Sequence, residues 1–349
     1  MMEPSHEAAR PRPRVSVVVL GYNGLGYVDA CLSSVLDQDM RCDEYEVIFA
    51  DNASLDGSAE YVREHLPEVR VIQFDRNYGF AAGNNLAVSH ASGEWIVFLN
   101  QDTVASRSWL RELVDGVSTS PEIAAGHANI IHPWYPDFTG VETRAESPRA
   151  YTPDLTRWGY CRYRNLGAVR DPADVLILSG AALAVRRSVI DELGYVFDPD
   201  FWAYGEDWDL GLRIRALGYR CVVVPRSTVY HLYTPKTKLR FANFQATVRN
   251  LRNRYLAFYK VMDWCEFVAM AALLTIGGPL NAFEFGLKLH QRLAFAVALV
   301  PATALALAAA VWNLRRFAEK RREVRSRQSE RRAWCLRAVW REPLRTPAR

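Results

Sequence analysis

The chain has 349 residues, 50% of them hydrophobic and 23% charged, an ordinary globular composition with length for one large domain or two small ones. Its six cysteines (Cys31, Cys42, Cys161, Cys221, Cys265 and Cys335) are scattered without a C-x-x-C pair, which argues against a zinc site or a disulfide framework and suits a reducing compartment. The net charge of +4 conceals an asymmetry: Arg315–Arg349 holds 13 Lys/Arg against 4 Asp/Glu, which leaves the rest of the chain at −5.

Residues 1–13 contain no apolar core, so they read as a disordered lead-in and not as a secretory signal. Val15–Leu20 is a β-branched run ending at Gly21, which predicts a buried strand. Leu25, Val28, Leu32, Val35 and Leu36 recur at helical spacing and predict a helix over 25–36. A second strand is expected at Tyr45–Ala50, then a helix at Ser58–His65 closed by Pro67, and a third strand at Val69–Phe74. A helix over Phe80–His90, a strand over Trp95–Leu99 and a helix over Ser108–Ser118 complete the series. Alternation at this pitch predicts a parallel, doubly wound α/β sheet with helices on both faces. His132–Pro172 is rich in Pro, Tyr, Trp and charge and poorly periodic, so it reads as an irregular insertion over the sheet.

Open α/β sheets bind ligands beyond the carboxyl ends of their strands. Those ends carry Gly21-Tyr-Asn-Gly24, Asp51-Asn-Ala-Ser-Leu-Asp-Gly57, Asp75-Arg-Asn-Tyr-Gly-Phe80 and Asn100-Gln-Asp102. Taken singly, each is turn chemistry. Taken together they form a ring of Asp, Asn and Gly with one Arg, which marks a site. There is no G-x-G-x-x-G after the first strand and no G-x-x-x-x-G-K-[ST], so the usual dinucleotide cradle and the P-loop are absent. A second candidate lies at Tyr204-Gly-Glu-Asp-Trp-Asp209, where three carboxylates stand within four residues at the start of a predicted helix. The helix dipole favours negative charge there, and simple capping accounts for one of them. The others repel unless something positive or protonated is near.

Toward the C-terminus, Phe267–Phe283 is an uncharged run broken by Gly277-Gly-Pro279, and Leu293–Leu314 is 22 residues without a charge, about bilayer length. The plain reading is two core helices. The flanking Arg clusters favour membrane-associated helices over 263–314. These either cross the bilayer twice, with body and tail in the cytoplasm, or lie as a hairpin on the inner leaflet. The tail, 315–349, is expected to be a basic amphipathic segment. Its apolar neighbour makes inner-membrane lipid, and not nucleic acid, the expected anionic partner.

The stretches VSVVVLGYNG (15–24), VIFADNASLDGS (47–58), NYGFAAGNN (77–85), FLNQD (98–102), the segment 178–221 around YGEDWD, and VYH (229–231) together resemble a family 2 glycosyltransferase of the GT-A fold. The resemblance covers about residues 14–260 and implies a catalytic domain over 14–262. NYGFAAGNN is similar to the subgroup that makes bacterial surface polysaccharides, among which rhamnosyltransferases are frequent.

The resemblance implies that Tyr22 and Asp51 hold the base and ribose of a nucleotide-sugar. It places Arg76, Asn84 and Asn85 at the edge of the nucleotide-diphosphate pocket. Asp102 matches the last residue of the family's D-x-D element, which binds Mn²⁺ or Mg²⁺ bridging the diphosphate. The first Asp of that element is Asn100 here, a departure that leaves one carboxylate. His231 matches a position that can complete the coordination, although a lone His is as often a structural hydrogen-bonder. Asp207 matches the general base of a single, inverting displacement. Gly180, in Ser179–Ala182, allows close approach to the sugar, and Trp202, Glu206 and Trp208 flank the base.

The implied activity is metal-dependent inverting transfer of a sugar from a dTDP- or UDP-linked donor, with L-rhamnose from dTDP-rhamnose favoured. The implied acceptor is a lipid-linked saccharide or polysaccharide of the cell envelope, at the cytoplasmic face of the inner membrane. The rival is a catalytically inactive membrane scaffold with the same fold, to which Asn100 lends support. A nucleotidyltransferase would need a basic residue in GYNGLGY, and there is none.

Overall fold

The computed structural model describes residues 12–131, 151–155, 159–232, 241–281 and 289–328. Most of the lead-in, 132–150 of the expected insertion and the tail beyond 328 lie outside the described residues.

Four parallel strands, β1 (Val15–Gly21), β2 (Tyr45–Asp51), β3 (Arg70–Gln73) and β4 (Trp95–Asn100), alternate with helices α1 (Leu25–Leu36), α2 (Ser58–His65) and α3 (Gly79–Val88). There follow β5 (Thr103–Ala105), α4 (Trp109–Val117), β6 (Ile123–Ile131), β7 (Tyr151–Leu155), β8 (Cys161–Asn165), β9 (Ala173–Asp174) and β10 (Ala182–Arg186). Then come α5 (Arg187–Leu193), a 3₁₀ turn (Pro199–Phe201), α6 (Glu206–Ala216) and β11 (Arg220–His231). The chain closes on α7 (Phe241–Val261), α8 (Trp264–Asn281) and α9 (Leu289–Ser326).

The main sheet runs β3-β2-β1-β4-β10-β6-β11-β5, with β9 against β11. Its parallel half is the expected doubly wound unit. The other half is mixed, because β10 enters antiparallel between β4 and β6. The expected irregular insertion contains order: β7 and β8 pair antiparallel as a separate two-stranded sheet. Segment composition hid this pairing, since Pro153 and the charged residues of that hairpin read as loop.

Successive side chains of a strand point to opposite faces, and two cores follow from that. Val15, Val17 and Val19 of β1 and Val97 and Leu99 of β4 pack beneath α1 and α4. Val18, Ile96 and Phe98 face the opposite side, toward α3, α5 and α6. A third cluster joins Trp208 and Leu212 of α6 to Tyr255 and Phe258 of α7 and Phe317 of α9. Helix α6 therefore sits between the sheet and the C-terminal helices.

Charge locks that sandwich. Lys260 of α7 is fully buried, and its Nζ lies 2.7 Å from Asp198 and 2.5 Å from Asp209 on α6. Asp209 also accepts a 2.7 Å bond from buried Arg213. Lys320 of α9 pairs with Asp198, and it reaches Asp200 at 2.9 Å. Burial pushes the Asp198 carboxyl up, but Lys260 and Lys320 more than reverse this and hold it far below the usual carboxylate range.

Several basic residues at the described start of the tail thus engage the body of the fold. Arg316 pairs with Asp200, Arg321 donates to the Tyr259 carbonyl and stacks on Tyr259 and Trp264, and Arg325 donates to the Met262 carbonyl at 2.9 Å. Among the described residues no helix is long and apolar enough to cross a membrane.

Lys260→Met leaves two buried carboxylates short of a cation, and should lower unfolding stability by about 3–5 kcal/mol in denaturant titration. The contribution of Asp198 is present above the ordinary carboxylate range and lost as pH falls, so the wild-type advantage should shrink in acid.

Candidate functional site

Strand register gathers the candidate residues on one edge of the sheet. Gly21 pairs with Asp51, and Leu20 with Asn100, so β1, β2 and β4 end level. Antiparallel β10 brings its amino end to the same edge, because Ala182 faces Leu99. Strand β11 slips register between Val224 and Thr228, around Pro225, which has no N–H for the ladder. It then runs on to set His231 opposite Thr103.

The loops after β1 and β2 are stitched together. Asn23 N–H donates to Ser54 Oγ at 2.9 Å, Leu55 N–H to Asn23 Oδ1 at 2.9 Å, and Leu25 N–H to Asp56 Oδ2 at 2.9 Å. Asn23 and Ala53 take positive φ, 47° and 61°; Asn enters this left-handed region readily, whereas Ala does so only in a firmly held loop. Gln101 reads the backbone of Tyr22 from β4: its Oε1 accepts from Tyr22 N–H at 3.0 Å and its Nε2 donates to Tyr22 O at 3.0 Å. Gly24 leaves room for it, since a Cβ there would stand 2.1 Å from Gln101 Oε1. Tyr22 is 44% exposed and available to a ligand. Asp51 is wholly buried, with both oxygens accepting Ser54 N–H, and so shapes the loop from beneath.

On the β3 side, exposed Arg76 lies over the Tyr78 ring at 4.8 Å. Asn84 and Asn85 are differently placed. Asn84 is buried and donates to the Phe80 carbonyl at 2.9 Å within its own helix. Asn85 donates to the Phe197 carbonyl at 2.6 Å and accepts from the Val196 and Phe197 N–H groups. The side chain of Asn85 holds the 196–197 backbone and so is spent on structure; spacing alone could not separate this from ligand binding.

At the end of β4, Asp102 Oδ1 is 3.1 Å from His231 Nε2, and Asn100 Nδ2 is 3.5 Å from the same nitrogen. Leu232 N–H fixes the Asp102 carbonyl at 2.8 Å. No group of three or more His, Cys, Asp or Glu that could hold a metal occurs among the described residues. One carboxylate and one imidazole still fit a cation that draws its other oxygens from a diphosphate and water.

A short chain of bonds joins this corner to Asp207. Asn100 N–H donates to Ala181 O at 3.0 Å, and the N–H of adjacent Gly180 donates to Asp207 Oδ2 at 2.9 Å. Trp208 N–H donates to Asp207 Oδ1 at 2.9 Å. Burial pushes the Asp207 carboxyl up; these N–H bonds and the positive charge of Arg254 pull it down without cancelling the rise. Arg254 is itself buried, stacked 4.1 Å over the Trp208 ring. Glu206, next in line, is buried and raised further, first by burial and then by Asp207; its Oε2 has no hydrogen-bond partner. Trp208 packs in the core, while Trp202 is 44% exposed. Gln101, Asn253 and Arg254 were missed from the sequence. Gln101 stood in plain view between two candidates, whereas the two α7 residues gave no signal beyond polar positions in an amphipathic helix.

The Glycosyl transferase family 2 model matches residues 16–194, just over half of the chain, and stops short of Asp207 and His231. The chain is 26% identical over 258 residues to the inactive polypeptide N-acetylgalactosaminyltransferase-like protein 5 of Macaca fascicularis, covering 68% of this chain and 56% of that protein. It is 29% identical over 203 residues to the N-acetylglucosaminyl-diphospho-decaprenol L-rhamnosyltransferase of Mycobacterium tuberculosis, covering 53% and 66%. The chain spans only 17% to 56% of the length of the first three curated relatives it matches. In fold it is similar to the mannosyltransferase PcManGT from Pyrobaculum calidifontis, solved with GDP-Man and Mn²⁺, at TM-score 0.52 and 21% identity over 95% of this chain and 88% of that one.

Asp207 should keep its proton to a higher pH than an ordinary aspartate, and Arg254→Met should raise its midpoint further, since a positive charge is lost. A carboxyl-detected NMR titration, with Asp207→Asn to assign the signal, measures both.

Proposed function

The chain belongs to glycosyl transferase family 2, and on that premise we propose that it transfers a sugar from a nucleotide-sugar to a saccharide acceptor with inversion at the anomeric carbon. The observation that carries this reading is the link Asn100–Ala181–Gly180–Asp207. Two hydrogen bonds on adjacent residues tie a carboxylate to the end of β4, beside Asp102 and His231.

Tyr22 and Arg76 are exposed on the donor side, with Asp51 and Gln101 holding the Tyr22 loop in shape. Asp102 and His231 would hold Mn²⁺ or Mg²⁺, which when bound offsets the charge of the departing nucleoside diphosphate. Asp207 takes the proton of the acceptor hydroxyl as its oxygen attacks the anomeric carbon. Its raised affinity for a proton suits a base, and the Gly180 and Trp208 N–H groups orient both oxygens. No second carboxylate is needed, because a single displacement inverts the centre.

The rhamnosyltransferase likeness and NYGFAAGNN support L-rhamnose from dTDP-rhamnose as the donor and a lipid-linked diphosphate saccharide as the acceptor, in envelope glycan synthesis. Attachment at the cytoplasmic face of the inner membrane, with α8 and α9 lying on the leaflet, fits the same acceptor. Trp264, Val268 and Ile276 of α8 and Val297, Val300, Val311 and Trp312 of α9 are exposed, Trp312 at 89%. Such faces bind interfaces through apolar area. A second reading, a catalytically inactive scaffold, draws on Asn100 in place of a carboxylate and on the inactive relative.

Asp207→Asn should retain nucleotide-sugar and Mn²⁺ binding while transfer falls roughly 10²–10⁴-fold. Unchanged transfer removes Asp207 from the mechanism. In vesicle flotation with phosphatidylglycerol and phosphatidylethanolamine, the double variant Trp264→Ser/Trp312→Ser should partition at least about tenfold less than wild type. Equal flotation places attachment elsewhere.

A further inference from the structure

Between the 3₁₀ turn and α6, the backbone turns left-handed at three residues: Trp202 (φ 63°), Tyr204 (φ 71°) and Gly205 (φ 81°). A side chain of this size at positive φ is held there only by surrounding structure. That structure is complete at the carbonyls. Asn253 of α7 donates through one amide nitrogen to Phe201 O at 3.1 Å, Ala203 O at 3.2 Å and Tyr204 O at 2.6 Å. Ala81 N–H of α3 donates to Trp202 O at 3.0 Å. Every carbonyl from 201 to 204 is thus captured. Asn253 is itself fixed, since Arg252 donates to its Oδ1 from Nε at 2.9 Å and from Nη2 at 2.6 Å, and Nη2 also reaches Asp200 O at 3.1 Å.

This scaffolding presents two aromatic rings to solvent. Trp202 lies against Gly79, where an added Cβ would stand 2.6 Å from the indole Cδ2, so one face of the ring is covered by backbone. The residue is nonetheless 44% exposed, so the contact with Gly79 leaves much of it open to solvent. Tyr204 is 48% exposed. The segment is bonded to α3 through Ala81 on one side and leads into α6, which carries Asp207, on the other. A flat, partly exposed ring five residues before the proposed base suits the C–H face of a pyranose, and a neighbouring phenol adds a polar edge.

We propose that Trp202 and Tyr204 form the platform for the acceptor sugar, and that Asn253 is the positioning residue that presets it. This rests on the glycosyltransferase reading and names its acceptor subsite. Presetting the loop removes the ordering cost from binding, which otherwise weakens affinity for a small saccharide.

The test uses the full chain and a panel of methyl glycosides (rhamnoside, glucoside, galactoside and N-acetylglucosaminide) as probes, followed by saturation-transfer NMR and titration. UDP and dTDP with Mn²⁺ are titrated in parallel. Wild type should bind one or more glycosides. Trp202→Ala and Tyr204→Ala should each weaken that binding about tenfold. Asn253→Ala should do the same, and Asn253→Gln, which keeps a donor, should recover part of it. Melting curves on every variant separate loss of fold from loss of the platform. Glycoside binding that survives in Trp202→Ala and Tyr204→Ala, or its absence from the wild type, overturns the proposal. An Asn253→Ala protein with a lowered melting temperature but wild-type affinity overturns the positioning role. Failure of UDP and dTDP to bind is a different result and counts against the donor reading.

Discussion

The buried lysine of α7 is the constraint on which the rest of the architecture depends. A cation at zero exposure survives only where its partners are already in place, and Lys260 has two, Asp198 from the loop before the 3₁₀ turn and Asp209 from α6. Satisfying both forces α6 to lie between the sheet and α7. Asp209 stands three residues after Glu206, where α6 begins, so this pairing pins the turn that carries Asp207. The same geometry draws α9 inward, because Asp198 and Asp200 also recruit Lys320 and Arg316. The C-terminal helices are therefore part of the scaffold of the site.

The other half of the site follows from strand register. Parallel β1, β2 and β4 end level, and the amino end of β10 and the carboxyl end of β11 complete that edge. Backbone groups then do the joining: Ala181 O holds Asn100, and Gly180 N–H holds Asp207. Rigid strands and a charge-locked helix meet across one peptide unit. That is the kind of support a proton-transfer step requires, since its geometry tolerates little error.

Much of this was legible in the sequence, for local reasons. The β-branched runs and the 3.6-residue spacing mark β1, α1, β2 and α2 almost residue for residue, because each buries one face against a single sheet. The Asp- and Asn-rich strand ends signalled the site because four of them recur at one edge. What stayed hidden depends on distant partners. Antiparallel β10 and the β7–β8 hairpin are set by pairing across the chain, which periodicity does not record. Asn85 looked like a ligand but serves the 196–197 backbone. The basic tail read as a lipid-binding segment, yet its first residues answer Asp198 and Asp200, 116–122 positions upstream. Asn253 and Arg254 gave no signal beyond their polarity, since their meaning lies in what α7 faces.

Transfer by this site requires that the Asp102–His231 corner, with Asn100 in place of a carboxylate, still support a cation and a nucleotide. The most direct measurement is a thermal-shift panel of dTDP-rhamnose and UDP-, GDP- and dTDP-linked sugars, with Mn²⁺ and with EDTA. One donor class should stabilise the protein in Mn²⁺ and lose that effect in EDTA and in Asp102→Ala. Stabilisation indifferent to metal and to Asp102, or no stabilisation by any donor, would contradict it and favour the inactive scaffold.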